Sequence, residues 1–469
     1  MSAQPLPFPT LTEASRKIAA GELSPVALTE AALARAEALN PRLDAFIEIT
    51  AGRARAAAAC AEKEIAGGRR RGPLHGIPYG LKDIYDVAGL RTTAHSRLLL
   101  ENVALADAET TSRLEAAGMI LIGKLATHEF ATGGPAWDLP FPPARNPWNT
   151  KHFTGGSSSG SGAAVAAGIL PLAMGSDTGG SIRLPAAYCG TVGLKPTYGR
   201  VSRRGVAPLC YTLDTTGPLT WTVEDAALAL QVVAGHDPRD PGSTNVPVPD
   251  YRAHLRDGIN GLRVGYCRAF NRDGEVNGEQ SAALDQTADA LTKLGAEVVE
   301  VAIPPNAQFQ ACARAISHSE SFAIHAQDLR TRPEMYARVT RERLMLGGFL
   351  SATQYVQAQR LRRILTCKVN ALFETADVLL TAIIPAAAPV LEATDDGPWR
   401  RQQPLASVFN VTGHPAMAQL CGFSENGLPL SAQFVGRHFD EATVLRVGYA
   451  YEHAAGWVNK RPALATLGA

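Results

Sequence analysis

Three residues in this chain have the types and spacing to activate a hydroxyl: Lys82, Ser157 and Ser181. A serine hydroxyl is a poor nucleophile near neutral pH and needs a base. A lysine is a base only when neutral, and burial away from a carboxylate partner can keep it so. Lys82 sits among Gly76, Ile77, Pro78, Tyr79, Gly80 and Leu81, with Asp83 its only charged neighbour in sequence. Alone it would read as a surface lysine paired with an acid; the two serines change its context. Each lies in a glycine-serine cluster, Gly155 to Gly162 and Asp177-Thr178-Gly179-Gly180-Ser181. Glycine loses the most backbone freedom on ordering, so such clusters suit sharp turns that expose N–H groups. Exposed N–H groups can hold an anion or a developing oxyanion. The run AAVAAGILPLAMG between the clusters is apolar and reads as buried, which argues against two flexible linkers. Asp177 and Arg183 bracket the second cluster and could pair to hold it.

The elements that must position these residues read as α/β. Residues 11–67 form helices, with Ser24-Pro25 an N-cap followed by proline and a stop at Asn40-Pro41. Residues 75–83 are short, β-prone and rich in turn residues, and Met119–Ile122 is a buried strand. After the central stretch come strands and turns over 193–209, a helix over 222–234 and a loop over 236–250. A β-α-β pattern starts at Gly261, long helices fill 307–328 and 333–375, and strands recur at 376–384 and 428–436. Alternating strands and helices imply a central mixed β-sheet flanked by helices on both faces. The expected organisation is an N-terminal helical segment (1–70) packed on a catalytic domain (71–460). That domain carries a smaller, mainly helical pocket subdomain around 250–375.

The chain has 469 residues, a net charge of +1 and seven scattered cysteines without a C-x-x-C pair. That composition suits a globular protein with free thiols in a reducing cytoplasm, and gives no basic excess to suggest nucleic acid. No signal peptide or membrane span is read, and no metal-ligand spacing or cofactor signature occurs. Two motifs fail. Gly118-x4-Gly123-Lys124 is followed by Leu125 rather than Ser or Thr, and His128-Glu129 lacks a second histidine, since Thr132 stands there. His128-Glu129 reads as a helix start at a loop edge. Gly156-Ser157-Ser158-Ser159-Gly160 satisfies G-x-S-x-G, which would make Ser158 the nucleophile with His414, His438 or His453 as base.

From about residue 10 to 455 the sequence resembles the amidase signature family. The resemblance is densest in three places: Gly76 to Asp83, Gly155-Gly156-Ser157-Ser158, and Asp177 through Ile182-Arg183 to Pro185-Ala186. Gly193-Leu194-Lys195-Pro196-Thr197, Gly427-Leu428-Pro429 and Gln433 also match. The resemblance implies that Ser181 attacks a substrate carbonyl and that Ser157, held by a cis peptide bond, bridges it to a neutral Lys82. It also implies an oxyanion hole from the N–H groups of Thr178, Gly179, Gly180 and Ser181, and an acyl-enzyme that water then hydrolyses. Neither a metal nor a cofactor is needed.

The expected activity is a stand-alone amidohydrolase for a small-molecule amide, reaching to aryl amides, esters, carbamates or ureas. The alternative is the A subunit of a glutamyl-tRNA(Gln) amidotransferase acting as a glutaminase. Ser159, where the family usually has glycine, and the lack of a basic excess favour the first. Phe130, Ala131, Thr132, Gly133 and Trp137 are candidate pocket residues, with Phe130, Trp137 and Phe141 able to favour aromatic acyl groups or simply to fill core. Apolar N-terminal helices could serve a homodimer.

Overall fold

A computed structural model describes residues 8–391 and 405–464. Among these residues eleven strands form one sheet: β1 (Phe46–Ile49), β2 (Pro78–Lys82), β3 (Ile120–Leu125), β4 (Leu172–Asp177), β5 (Val192–Lys195), β6 (Thr215–Thr220), β7 (Arg263–Tyr266), β8 (Glu297–Glu300), β9 (Val378–Ala382), β10 (Ala416–Phe423) and β11 (Pro429–Gly436). Their spatial order is β1-β3-β2-β4-β6-β5-β10-β11-β9-β7-β8. Parallel pairs (β3-β2-β4 and β9-β7-β8) sit on either side of an antiparallel middle. The sheet is mixed and flanked by helices, as the alternating pattern implies. β2, β3 and β4 are buried throughout, which is why they read as continuous apolar or small-residue runs.

The sequence reading departs from the structure in several places. The helix expected to stop at Asn40-Pro41 runs from Pro25 to Leu43, with Pro41 inside its last turn. There the missing N–H costs one bond, and Asp44 ends the helix in a left-handed conformation. The N-terminal segment is not wholly helical: β1 pairs antiparallel with β3 at one sheet edge. In the 250–375 region the strands of the expected β-α-β pattern, β7 and β8, complete the other end of the same sheet, and the helix expected over 333–375 divides into two. Its helices, Asn306–Thr331, Arg338–Met345 and Ala352–Leu372, lie beyond those strands in sequence and pack on one another.

Candidate active site

β2, the third strand from one edge of the sheet, carries Lys82 between β3 and β4. The side chain is fully buried, and its Nζ donates to Ser157 Oγ at 2.6 Å and to Ser176 Oγ at 2.8 Å. Burial pulls its pKa down to about 7, against the opposing pull of the Asp214 and Asp177 charges. Successive residues on a strand point to opposite faces. Asp83 accordingly faces away, ion-paired with the buried Lys124 at 2.7 Å and accepting from the Thr93 N–H at 3.0 Å. The acid adjacent in sequence is thus not a partner of Lys82.

The Gly156–Ser157 peptide bond is cis. Ser157 is buried, and its neighbour Ser158 opens the turn into the helix Ser159–Ala166. The Ser158 N–H donates to the Ser181 carbonyl at 3.2 Å, which ties the two glycine-serine clusters together. Ser181 is half-buried, and its hydroxyl has no hydrogen-bond partner among the described residues. The structure therefore brings Lys82 and Ser157 into direct contact and sets Ser181 beside them through the backbone.

Asp177 organises the second cluster. Its Oδ1 accepts from the Gly180 N–H at 2.7 Å, Arg183 Nη2 at 2.9 Å and Asn410 Nδ2 at 2.8 Å. Its Oδ2 accepts from Arg183 Nε at 2.9 Å and the Ile182 N–H at 3.2 Å. Burial alone would raise this carboxyl's pKa; the Arg183 guanidinium, the Lys195 charge and Asn410 hold it well below the usual range. Arg183 is fully buried and also donates to Gln433 Oε1 at 2.7 Å and Asn410 Oδ1 at 2.7 Å.

Gly180 was expected among the oxyanion donors, but its N–H is taken by Asp177 Oδ1. Its φ of 120° turns the chain so that Gly179 and Ser181 carry N–H groups with no acceptor among the described residues. Thr178 is fixed from below: its Oγ1 donates to Asp214 Oδ1 at 2.6 Å, and Asp214 Oδ2 accepts from the N–H groups of Leu209 and Cys210, both at 2.9 Å. Asn410 and Asp214 were missed in the sequence because each reaches the site from a segment with no motif of its own, and Ser176, next to the Asp177 cluster, because nothing in the sequence shows that it reaches Lys82.

The G-x-S-x-G reading does not survive the geometry. Ser158 is fully buried, and its Oγ exchanges hydrogen bonds with the Ser176 main chain at 3.2 Å. His414 bonds Thr412 and Asn370, His438 bonds the Thr412 carbonyl and His453 bonds the Tyr449 carbonyl, so none serves Ser158.

The candidate pocket residues occupy one turn after β3. Phe130 is buried and packs on His325 (centroids 4.4 Å apart) and Tyr336 (5.7 Å), so it fills core rather than facing a ligand. Ala131 is also buried, Thr132 and Trp137 are half-buried, and Gly133 lies against Thr340. Phe141 makes an edge contact with His95.

The match to known proteins is broad. The amidase family model matches residues 27–445. The chain belongs to the amidase signature family, and it is an amidase-signature enzyme, a hydrolase of carbon–nitrogen bonds. It is 41% identical to the A subunit of the glutamyl-tRNA(Gln) amidotransferase of Chloroflexus aggregans, over 98% of this chain and 99% of the relative. The solved structure of a vestigial protein complex tied to an s-triazine catabolic enzyme superimposes with TM-score 0.88 at 36% identity, covering 95% of this chain and 98% of that one. The A subunit of the glutamyl-tRNA(Gln) amidotransferase from Thermotoga maritima does so with TM-score 0.80 at 31% identity, covering 97% and 96%.

These relatives overturn the expectation of a stand-alone amidohydrolase whose only partner is a small-molecule amide, with a homodimer and no nucleic acid. Relatives identical at about two residues in five over nearly the whole chain are subunits of a tRNA amidotransferase. Both features that favoured the stand-alone reading have physical explanations. Ser159 is the first residue of its helix and its Oγ points to the Ala126 carbonyl (3.4 Å), not to Lys82 or Ser157, so it leaves the site unchanged. The net charge of +1 hides a local excess of nine arginines and lysines over two glutamates between residues 330 and 368. Among the described residues no helix is long and apolar enough to cross a membrane.

The buried Asp177–Arg183 pair supplies a stability test. Asp177→Asn leaves the Arg183 charge buried and uncompensated, which costs about 3–5 kcal/mol. Urea unfolding followed by circular dichroism should show that loss, whereas a change within about 0.5 kcal/mol, as at an ordinary surface site, would contradict the role given to the pair.

Proposed function

We propose that this chain is the amide-hydrolysing subunit of a glutamyl-tRNA(Gln) amidotransferase, releasing ammonia from glutamine. The observation that carries the reading is the 41% identity to an amidotransferase A subunit over 98% of this chain and 99% of the relative. The basic stretch at 330–368 supports it, since an excess of positive charge suits an acidic partner or RNA nearby.

The chemistry follows from the site's own atoms. Ser181 Oγ attacks the carboxamide carbon as Ser157 takes its proton and passes one to the neutral Lys82 Nζ. The N–H groups of Gly179 and Ser181 receive the oxyanion. Lys82 then returns the proton through Ser157 to the nitrogen, the C–N bond breaks, and ammonia leaves a glutamyl ester on Ser181. Water attacks that ester by the same relay, giving glutamate and the free serine. Losing one oxyanion donor costs about 3 kcal/mol of barrier.

Two measurements test this. Lys82 must be neutral to accept the proton, so kcat/KM on glutamine should rise about tenfold per pH unit below its pKa of about 7 and flatten above it. A profile that falls through that range would contradict the lysine base. Ammonia release from glutamine, assayed for the chain alone and with the subunits that accompany it, should drop to background in Ser181→Ala. A chain that cleaves simple amides but never glutamine, alone or in complex, would overturn the amidotransferase reading.

A further inference from the structure

His128 belongs to none of the roles assigned above, and as a sequence feature it read as part of a helix start at a loop edge. The structure packs it against the Gly156–Ser157 segment. Its backbone N–H donates to the Ser157 carbonyl at 3.1 Å, and its ring stacks on Phe153 with centroids 6.0 Å apart and planes 14° from parallel. The ring lies directly on Gly156: a Cβ added there would sit 2.0 Å from His128 Cε1 and 2.3 Å from Nε2. Only glycine lets the imidazole approach the Gly156–Ser157 peptide this closely.

The segment behind the ring is clamped. Glu129, fully buried, accepts from Ser96 Oγ at 2.6 Å and from the Ala337 N–H at 2.9 Å. Phe130 and Ala131 follow with φ of 48° and 60°, a left-handed turn that the Glu129 bonds and the Phe130 stacking maintain. His128 is therefore held from both sides, yet neither of its ring nitrogens has a hydrogen-bond partner among the described residues, and the side chain is only half-buried. Burial, with a smaller contribution from the Arg343 charge, lowers its pKa to about 3, so the ring is neutral, with one donor and one acceptor nitrogen. A fixed imidazole with both polar edges uncommitted, packed against the peptide of Ser157, is placed to meet a bound molecule.

We propose that His128 is a specificity-determining residue that hydrogen-bonds the polar end of the substrate's acyl chain. The inference rests on the glutamine reading and deepens it: an imidazole can accept from an α-ammonium and donate to an α-carboxylate, so the site selects an amino-acid amide over a plain aliphatic one.

The test compares glutamine with butyramide, which keeps the carboxamide and chain length but lacks both polar groups. The parent, His128→Phe and His128→Asn are assayed on both, each purified with any subunits that accompany it. Phenylalanine keeps the stack on Phe153 and removes both ring nitrogens; asparagine restores one donor and one acceptor. The ratio of kcat/KM for glutamine to that for butyramide should fall about tenfold in His128→Phe, the loss of roughly one good hydrogen bond, through a higher KM for glutamine. It should recover in part in His128→Asn. An unchanged ratio, whether both activities hold or both fall together, would overturn the proposal and leave His128 a packing residue. A parent that turns over butyramide but never glutamine would overturn the amidotransferase reading and this inference with it, an outcome distinct from the first.

Discussion

The site depends on one buried lysine having no carboxylate against it. An ammonium taken out of water is costly unless an anion pairs with it, so an unpaired buried lysine shifts toward its neutral form. Lys82 is fully buried and touches two hydroxyls, those of Ser157 and Ser176. Three acids lie close enough to spoil this, and each is occupied elsewhere. Asp83 is turned to Lys124 by the strand's alternation, Asp177 is saturated by Arg183, Asn410 and main-chain N–H groups, and Asp214 is held by Thr178, Leu209 and Cys210. The residual pull of Asp214 and Asp177 keeps the Lys82 pKa at about 7 rather than lower, which suits the proposed acceptance and return of a proton near neutral pH.

The same bonds that keep acids off the lysine also shape the loop that carries Ser181, the proposed nucleophile. Asp177 directs the Gly180 N–H toward itself, while the N–H groups of Gly179 and Ser181 have no acceptor among the described residues. Because Arg183 and Asn410 complete that network, the loop is braced by the short helix Val408–Val411 and by Gln433 on β11, more than two hundred residues away in sequence. Electrostatic stabilisation of an oxyanion requires donors already in place, and this bracing would supply the rigidity for the oxyanion hole proposed here.

Much of this was legible in the residues. Lys82, Ser157 and Ser181 stand out because glycine-rich turns and a lysine in an apolar context have few other uses together, and the α/β class follows from alternating strand and helix patterns. What was not legible depends on contacts between distant segments. Asn410 and Asp214 carry no local signal, and Phe130 looks like a pocket residue until His325 and Tyr336 are seen to cover it. β1 was missed because four residues between two helices give too little periodicity to register. The partner reading went astray for a related reason: net charge sums over the whole chain, whereas an interface feels only the local balance, and Ser159 looked consequential in sequence although its hydroxyl points away from the site.

The central claim, that a neutral Lys82 activates Ser181 through Ser157, is tested most directly by covalent labelling. The purified protein is treated with a sulfonyl fluoride, weighed intact and digested to locate the adduct. A single adduct on Ser181 that is lost in Lys82→Ala is the predicted result. An adduct on Ser158, or labelling of Ser181 at an undiminished rate without the lysine, would contradict it.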